Sequence, residues 1–327
     1  FWILDDITPI QQLTDQVLAS DFHLFQPRPA YRFLPREGRN SQPGDPAAGE
    51  NPTPGASINF YLGQGTEGRG QILIATESGE HVRTLSTAGT SGLNRVFWDL
   101  RYESSSTPRL RTSPLEHSHR DIGPSGWRPP PDGGVVRPLA VPGLYQVTLI
   151  LEGHEQQSVW LEVLQDPESS ASTSDMEAQL NLQLELRELS DSTGALINRI
   201  EWTRKSLDDL EERLTGDPSY NDVVTAGEML DQLLIELEMG LFDLRLTGGS
   251  ARQDTIRWPR QLWAKLSSLS GYSSGSDDRP SDQMLEIRTI YRQRVTDSLL
   301  RWAEIAASNL ARFNQILAEQ GLPPIIS

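Results

Sequence analysis

The sequence predicts a multidomain protein, β first and then α. Three observations carry that expectation. Between residues 56 and 166, short runs alternate apolar and polar residues and are bounded by Gly, Pro or Asn. From residue 172 onward the apolar residues recur instead at three and four. Stretches rich in Pro, Gly and Ser separate these regions, in keeping with 22 Pro and 26 Gly among 327 residues. That length suffices for two or three domains with their own cores.

Residues 1–55 form the first region. Phe1-Trp2-Ile3-Leu4-Asp5-Asp6-Ile7 reads as a strand at the very start, with no Met ahead of it. It is expected to need a sheet to join, so the chain reads as the C-terminal portion of a longer protein. Ile10, Leu13, Val17 and Leu18 are spaced for a short helix. Leu24 to Phe33 reads as extended, because Pro27 and Pro29 bias their predecessors away from helix. Residues 35–55 read as a linker.

Residues 56–170 are expected to be a β domain. Runs at 56–62, 71–76, 81–85, 92–101, 144–151 and 158–164 read as strands. Tyr145, Val147, Leu149 and Leu151 should share one face, and Val159, Leu161 and Val163 another. Six or seven short strands in about 100 residues suggest an immunoglobulin/fibronectin-like β-sandwich. Residues 103–140 lack periodicity and read as a long inserted loop, functional or mobile.

Residues 171–327 are expected to be an α-helical bundle. Ser174-Asp175-Met176-Glu177 has the pattern of a capping box. Met176, Leu180, Leu184, Leu196, Ile200, Leu207, Leu210 and Leu214 then hold a seam. Asp217-Pro218 restarts a helix whose stripe runs from Val223 through Leu230, Leu234 and Leu241 to Leu244, with Gly248-Gly249 as its stop. A short helix follows near 259–269. A last one runs over 281–320, with Leu285, Tyr291, Val295, Leu299, Trp302, Ile305, Phe313 and Ile316 inward and Gly321 at its end. Three long amphipathic helices imply an antiparallel three-helix bundle.

Composition excludes several functions. With no cysteine there is no disulfide, thiolate nucleophile or Cys-based zinc site. A net charge of −16 disfavours nucleic acid, whose phosphates need a basic surface. No apolar run approaches the roughly 18 residues of a membrane span. There is no Gly-x-Ser-x-Gly elbow and no phosphate-binding loop with Lys. Gly63-Gln64-Gly65-Thr66-Glu67-Gly68 matches a dinucleotide fingerprint in letters, but it joins two strands and reads as a hairpin loop.

The remaining candidates are few. Asp5 and Asp6 are adjacent in a strand and point to opposite faces, which suits a turn better than paired acid–base chemistry. Trp98-Asp99-Leu100-Arg101 could grip a polar ligand, but a core Trp followed by an Asp-capped turn explains it more simply. His117 and His119 with Asp121 have the alternation a metal could use, yet no further ligand is near, so exposed loop histidines are expected. Trp127 and Arg128, flanked by Pro in the inserted loop, are candidate contacts for a sugar ring or a protein groove, or else a plug onto their own domain. Residues 217–244 carry seven acidic residues and no basic one. A solvated face explains this; a docking face for a basic partner, through Asp222, Glu228, Asp231 and Glu236, is the sharper alternative. No catalytic, metal or cofactor-binding residue is nominated.

Several of these segments resemble one family. Phe1 to Pro9 is similar to the propeller exit strand of bacterial BNR-repeat, sortilin-like propeller proteins of the glycosyl hydrolase type. Val82-Arg83-Thr84-Leu85, the run from Gly92 to Arg101, and Val141-Pro142-Gly143-Leu144-Tyr145 resemble their sandwich domain. They also resemble the immunoglobulin-like domains of flagellar hook-capping proteins and of bacterial secretion-tail modules. Leu262-Trp263-Ala264-Lys265-Leu266, Arg301-Trp302, Phe313-Asn314 and Gly321 to Ile325 look like the helical end of the same propeller proteins. The family's repeat signature, Ser-x-Asp-x-Gly-x-Thr-Trp, does not occur here.

The resemblance implies a non-catalytic accessory or interaction region of an exported propeller protein, periplasmic or extracellular. It would support the parent, assemble through its helices, or dock a protein partner or its own propeller. The alternative is part of an exported glycoside hydrolase, with its catalytic carboxylates on an N-terminal propeller and a glycan held near Trp127. A third reading is recruitment to an envelope assembly through the acidic helical face.

Overall fold

The computed structural model describes residues 6–34, 53–65, 67–119, 122–247 and 254–326. The strand expected at Phe1–Ile7 and the linker expected at 35–55 lie largely outside the described residues. In chain order the elements are the single-turn helices α1 (Thr8–Gln11) and α2 (Asp15–Leu18), then strands β1 (Phe22–Leu24), β2 (Ala30–Arg32), β3 (Ala56–Leu62), β4 (Gly68–Thr76), β5 (His81–Gly89), β6 (Gly92–Trp98), β7 (Gly143–Leu151) and β8 (Gln157–Gln165). Helices α3 (Thr173–Leu214), α4 (Asn221–Leu241), α5 (Asp254–Arg257), α6 (Leu262–Ser273), α7 (Asp282–Ile305) and α8 (Ala311–Glu319) follow. None is long and apolar enough, among the described residues, to cross a membrane.

The chain divides into two compact units. One comprises residues within 1–104, 137–181 and 274–279, and the other residues within 105–136, 182–273 and 280–327. The stretch read from sequence as a loop inserted in the β domain is thus grouped, over 105–136, with the helices. The reason lies in two side chains: Leu110 and Val136 are fully buried in the helical core.

The first unit holds two sheets. One has the order β1-β3-β6, all antiparallel; the other has the order β2-β8-β7-β4-β5, with β2 parallel to β8 and the rest antiparallel. Alternation shapes β7, where Tyr145, Val147, Leu149 and Leu151 are buried, and β8, where Leu161 and Val163 are. β3 is buried along its whole length. Its polar members are satisfied: Asn59 donates to the Ser57 hydroxyl at 3.0 Å and accepts from Arg95 at 2.8 Å. Across the sheets, the Trp98 and Tyr145 rings meet edge-on at 5.2 Å.

The Gly63–Gly68 segment corrects the hairpin expectation. It joins β3 to β4, which lie in different sheets, so it is a crossing between layers. The turn after β6 takes the structural role expected of it. The Trp98 indole donates to the Arg101 carbonyl at 2.9 Å, and Asp99 accepts the Arg101 amide at 3.2 Å. Leu100 between them adopts φ 57°, which an L side chain tolerates only where its surroundings hold it; its carbonyl accepts the Ala140 amide at 2.7 Å.

In α3 the cap sits two residues earlier than expected. The Ser172 hydroxyl accepts the Asp175 amide at 3.2 Å and Asp175 accepts the Ser172 amide at 3.3 Å, a reciprocal box at 172/175. The seam also shifts, since Leu182 and Leu186 are buried and Leu184 only partly so. Asp217 caps the Pro218 turn as expected, accepting from Ser219 at 3.0 Å, but α4 ends at Leu241, before Gly248.

Three long helical runs share the helical core. Arg204 and Leu207 of α3 lie against Asp231 and Gly227 of α4, so α3 and α4 run antiparallel. Gly227 and Gly240 of α4 meet Phe313 and Arg294, so α4 also opposes the last run. That run is interrupted by a π-helical turn at Ala306–Leu310. Its buried residues show why: Trp302 and Ile305 precede it, Leu310, Phe313 and Leu317 follow, and the step from 305 to 310 is one residue too long for an α-helical stripe. The extra residue returns the stripe to the core. Leu299, expected inward, is 38% exposed.

Candidate functional site

The acidic residues of α4 fall into two environments. Asp222, Glu228 and Glu236 are exposed, Asp231 is half-buried and Glu238 is fully buried. The buried end is built around Arg204 of α3. Its guanidinium donates to Asp231 at 2.9 Å, to Glu238 at 3.0 Å and to the Thr112 hydroxyl at 3.1 Å. Burial works against its charge, but Glu238 and Asp231 hold its pKa above the ordinary range. Glu201, one turn back on α3, accepts the Arg111 amide, the Thr112 amide at 2.8 Å and the Thr112 hydroxyl at 3.0 Å. Burial and the neighbouring Glu201 push the Glu238 carboxyl well up, against the pull of Arg204.

The same side of α3 organises the 105–136 segment. Asp191 accepts the Ser106 amide at 2.7 Å, Asn198 accepts the Arg109 amide at 2.8 Å, and Glu201 accepts those of 111 and 112. Polar side chains at helical spacing thus satisfy a backbone that has no sheet to join.

Outward from this network, α3, α4 and Phe313 of α8 enclose a cavity of about 210 Å³. Its walls include Leu207, Leu210, Leu214, Val223 and Val224, and it is also lined by Asp208, Glu211, Glu228 and Asp231. A second cavity of about 550 Å³ adjoins it between α4 and α8, sharing Glu228, Gln232 and Phe313 and adding Met229, Leu230, Leu233 and Ile316. Asp208 is pushed up to about pKa 6, first by the surrounding protein, which takes water from it, and then by Asp231, with Arg204 and Lys205 opposing. The residue is nonetheless exposed to solvent, which screens these effects. No His or Lys lines either cavity; Arg312 lines the second. Carboxylates beside apolar walls, without a nucleophile, suit attraction of positive charge better than covalent chemistry.

Of the residues nominated from sequence, the structure brings Glu228 and Asp231 into this groove and leaves Asp222 and Glu236 outside its lining. Sequence reading missed Asp208 and Glu211. Their signal was present: they stand beside the Leu207, Leu210 and Leu214 seam, three residues apart on one face. Trp127 is half-buried with the Arg109 guanidinium 5.1 Å from its ring, and Arg128 is buried, donating to the carbonyls of Thr112 at 3.3 Å and Leu246 at 3.2 Å. His117 and His119 meet edge-on at 5.9 Å; Asp121 lies outside the described residues. Among the described residues, no group of three or more His, Asp or Glu is placed to hold a metal. Asp6 is buried and accepts the Thr8 amide at 3.0 Å; burial acts to raise its pKa, but its bonds to Thr8 hold it below the usual range.

No family model matches this chain, and no curated protein matches it. A solved structure described as pT26-6p is similar over 76% of the chain at 11% identity, with a TM-score of 0.16. The chain spans 46% of that structure's length. A TM-score that low carries no argument.

Proposed function

We propose that this chain is a non-catalytic accessory and interaction region that docks a protein partner through the groove between α3, α4 and α8. The observation that carries this reading is the acid-lined apolar groove itself. In the wider reading, the two-sheet unit is an immunoglobulin-like sandwich. Trp98 fills its centre and the Tyr145 hydroxyl donates to the Val141 carbonyl four residues upstream at 2.7 Å, as tyrosines at the corners of such domains do. Phe1–Ile7 would be a propeller's exit strand and the parent an exported protein of the periplasm or cell surface. Both ideas rest on the sequence resemblance. Co-purification of the intact parent with a basic protein, lost when Asp208 and Glu228 are neutralised or salt is raised, tests the docking role.

The glycoside hydrolase alternative gains one observation. Tyr31 and Phe33 stack at 5.7 Å and are 43% and 56% exposed. Trp160, 44% exposed, lies on the same sheet face, since Tyr31 pairs with Leu164, four residues along β8. Exposed rings on a sheet face can stack on sugars. In that reading these residues, not Trp127, would hold the glycan. Glycan hydrolysis by this chain alone would overturn the non-catalytic reading.

A further inference from the structure

The two adjoining cavities differ in chemistry, and the difference constrains what fills them together. The first pairs an apolar wall with carboxylates. Asp231 already has Arg204, but among the described residues no Lys, Arg or His forms an ion pair with Asp208, Glu211 or Glu228. The second is mostly apolar, with Glu228, Gln232, Asn309 and Arg312 as its polar members and Met229 68% exposed.

We propose that this groove receives a basic amphipathic segment of a partner protein, one Lys or Arg side chain entering the first cavity and an apolar side chain the second. The proposal rests on the docking reading above and names its occupant. Long cationic side chains lay their alkyl stems on apolar surface and put their heads on carboxylates, and the first cavity offers both. A cavity of about 150 Å³ already admits a benzene ring, so 210 Å³ accommodates such a stem. A free diamine could satisfy the carboxylates but has nothing to place against Met229, Leu233 and Ile316; a polypeptide has. Charge favours the same occupant, because Asp208, Glu211 and Glu228 line one end of the groove without a formed ion pair among the described residues, outnumbering Arg312, and the chain carries −16 overall. Burial first, and then Asp231 and Glu211, raise the pKa of Asp208, and a cation bound beside it would act in the opposite direction.

The test uses the full chain and fluorescence anisotropy with a labelled amphipathic peptide of leucine and lysine at about 0.05 M salt. Its partner probes are the same peptide with glutamate for lysine and free 1,5-diaminopentane as competitor. The lysine peptide is expected to bind and the glutamate peptide not. Joint Asp208→Asn, Glu211→Gln and Glu228→Gln should weaken binding by roughly tenfold or more, and Met229→Ser by several-fold. Joint Asp222→Asn and Glu236→Gln, on the same helix outside the groove, should change it by less than about twofold. Matched thermal melts of all variants confirm that the swaps leave the fold intact. Lysine-peptide binding that survives the groove triple overturns the cavity assignment while leaving a docking role elsewhere on the helices. Equal losses from the outer pair would show a diffuse acidic face and overturn it too. Diamine binding as tight as the peptide's would make the site one for a free amine. Binding of neither peptide would sink the docking reading as well.

Discussion

Each compact unit buries one arginine in an ionic cluster, and the two clusters are balanced differently. In the sheet unit, Arg32 is almost fully buried, forms an ion pair with Asp277, and donates to the Ala140 carbonyl at 2.9 Å and to Gln179 at 3.3 Å. Asp277 also accepts from Ser169 at 2.8 Å. One cation meets one carboxylate, and neutral groups complete the donors. In the helical unit, Arg204 stands among Glu201, Asp231 and Glu238. Three carboxylates and one cation cannot all be charged cheaply in a buried site, and the Glu238 carboxyl is accordingly pushed well up. The sheet unit's cluster is a closed pair; the helical unit's is a surplus of negative charge whose outer members face the groove.

The largest expected effect tests that contrast directly. Arg204→Met removes the cation shared by three carboxylates and should cost the helical unit about 3–5 kcal/mol, because buried charge is left uncompensated. Arg32→Met should cost the sheet unit less, about 3 kcal/mol, since one carboxylate, Asp277, is left without its ion pair and Ser169 still donates to it. Hydrogen exchange resolved by residue would read the two units separately. Equal losses would break the comparison.

The next effect concerns pH. Glu238 has a folded pKa above its unfolded value near 4.5, so its favourable contribution is complete below that value and fades as pH rises through the folded pKa. Glu238→Gln should flatten this decline with rising pH in the helical unit and leave the sheet unit's profile untouched. A wild-type profile flat from pH 5 upward would refute the raised pKa.

Asp208 gives a smaller version. Its pKa is pushed from 3.8 to about 6, so its contribution is complete below pH 3.8 and lost between there and about pH 6. Asp208→Asn should therefore raise stability at neutral pH, by no more than about 1 kcal/mol because water screens it, and change little near pH 3.5. Denaturant titrations at the two pH values check this.

The smallest effect locates the groove's floor. At Gly227 in α4 a Cβ would sit 3.6 Å from Phe313, an ordinary contact. Gly227→Ala should stabilise the helix by roughly 0.5–1 kcal/mol and narrow the first cavity. Gly133, by contrast, has φ +86 and would put a Cβ 2.6 Å from the Trp263 ring, so Gly133→Ala should destabilise. Thermal unfolding of the two variants should move in opposite directions.

How much was legible varies by element. β7 and β8 show in the sequence because each has one buried face, and alternation records it. β1 and β2 are three residues each, too short for a period to register. The turn at Asp217-Pro218 was readable because its chemistry is local. The 172/175 box was displaced by two because Ser172 and Ser174 both offer a hydroxyl, and sequence cannot rank them. The acidic face of α4 was visible as composition, but its division into a buried end at Glu238 and a groove wall was not. That division depends on Arg204, Asp208 and Glu211, which belong to another helix.

The sequence by itself determined the longer strands and helices, the absence of thiol chemistry, and an acidic stretch with no basic residue within it. These are properties of period and composition and need no partner. Only the tertiary structure decided that residues 105–136 pack with the helices, that Gly63–Gly68 crosses between sheets, and that three helices enclose an acid-lined groove. Those outcomes depend on amides, rings and carboxylates that meet across dozens of intervening residues, as Ser106 meets Asp191 and Gly227 meets Phe313. No local pattern encodes such meetings, because the burial and charge balance that select them exist only once the chain is packed.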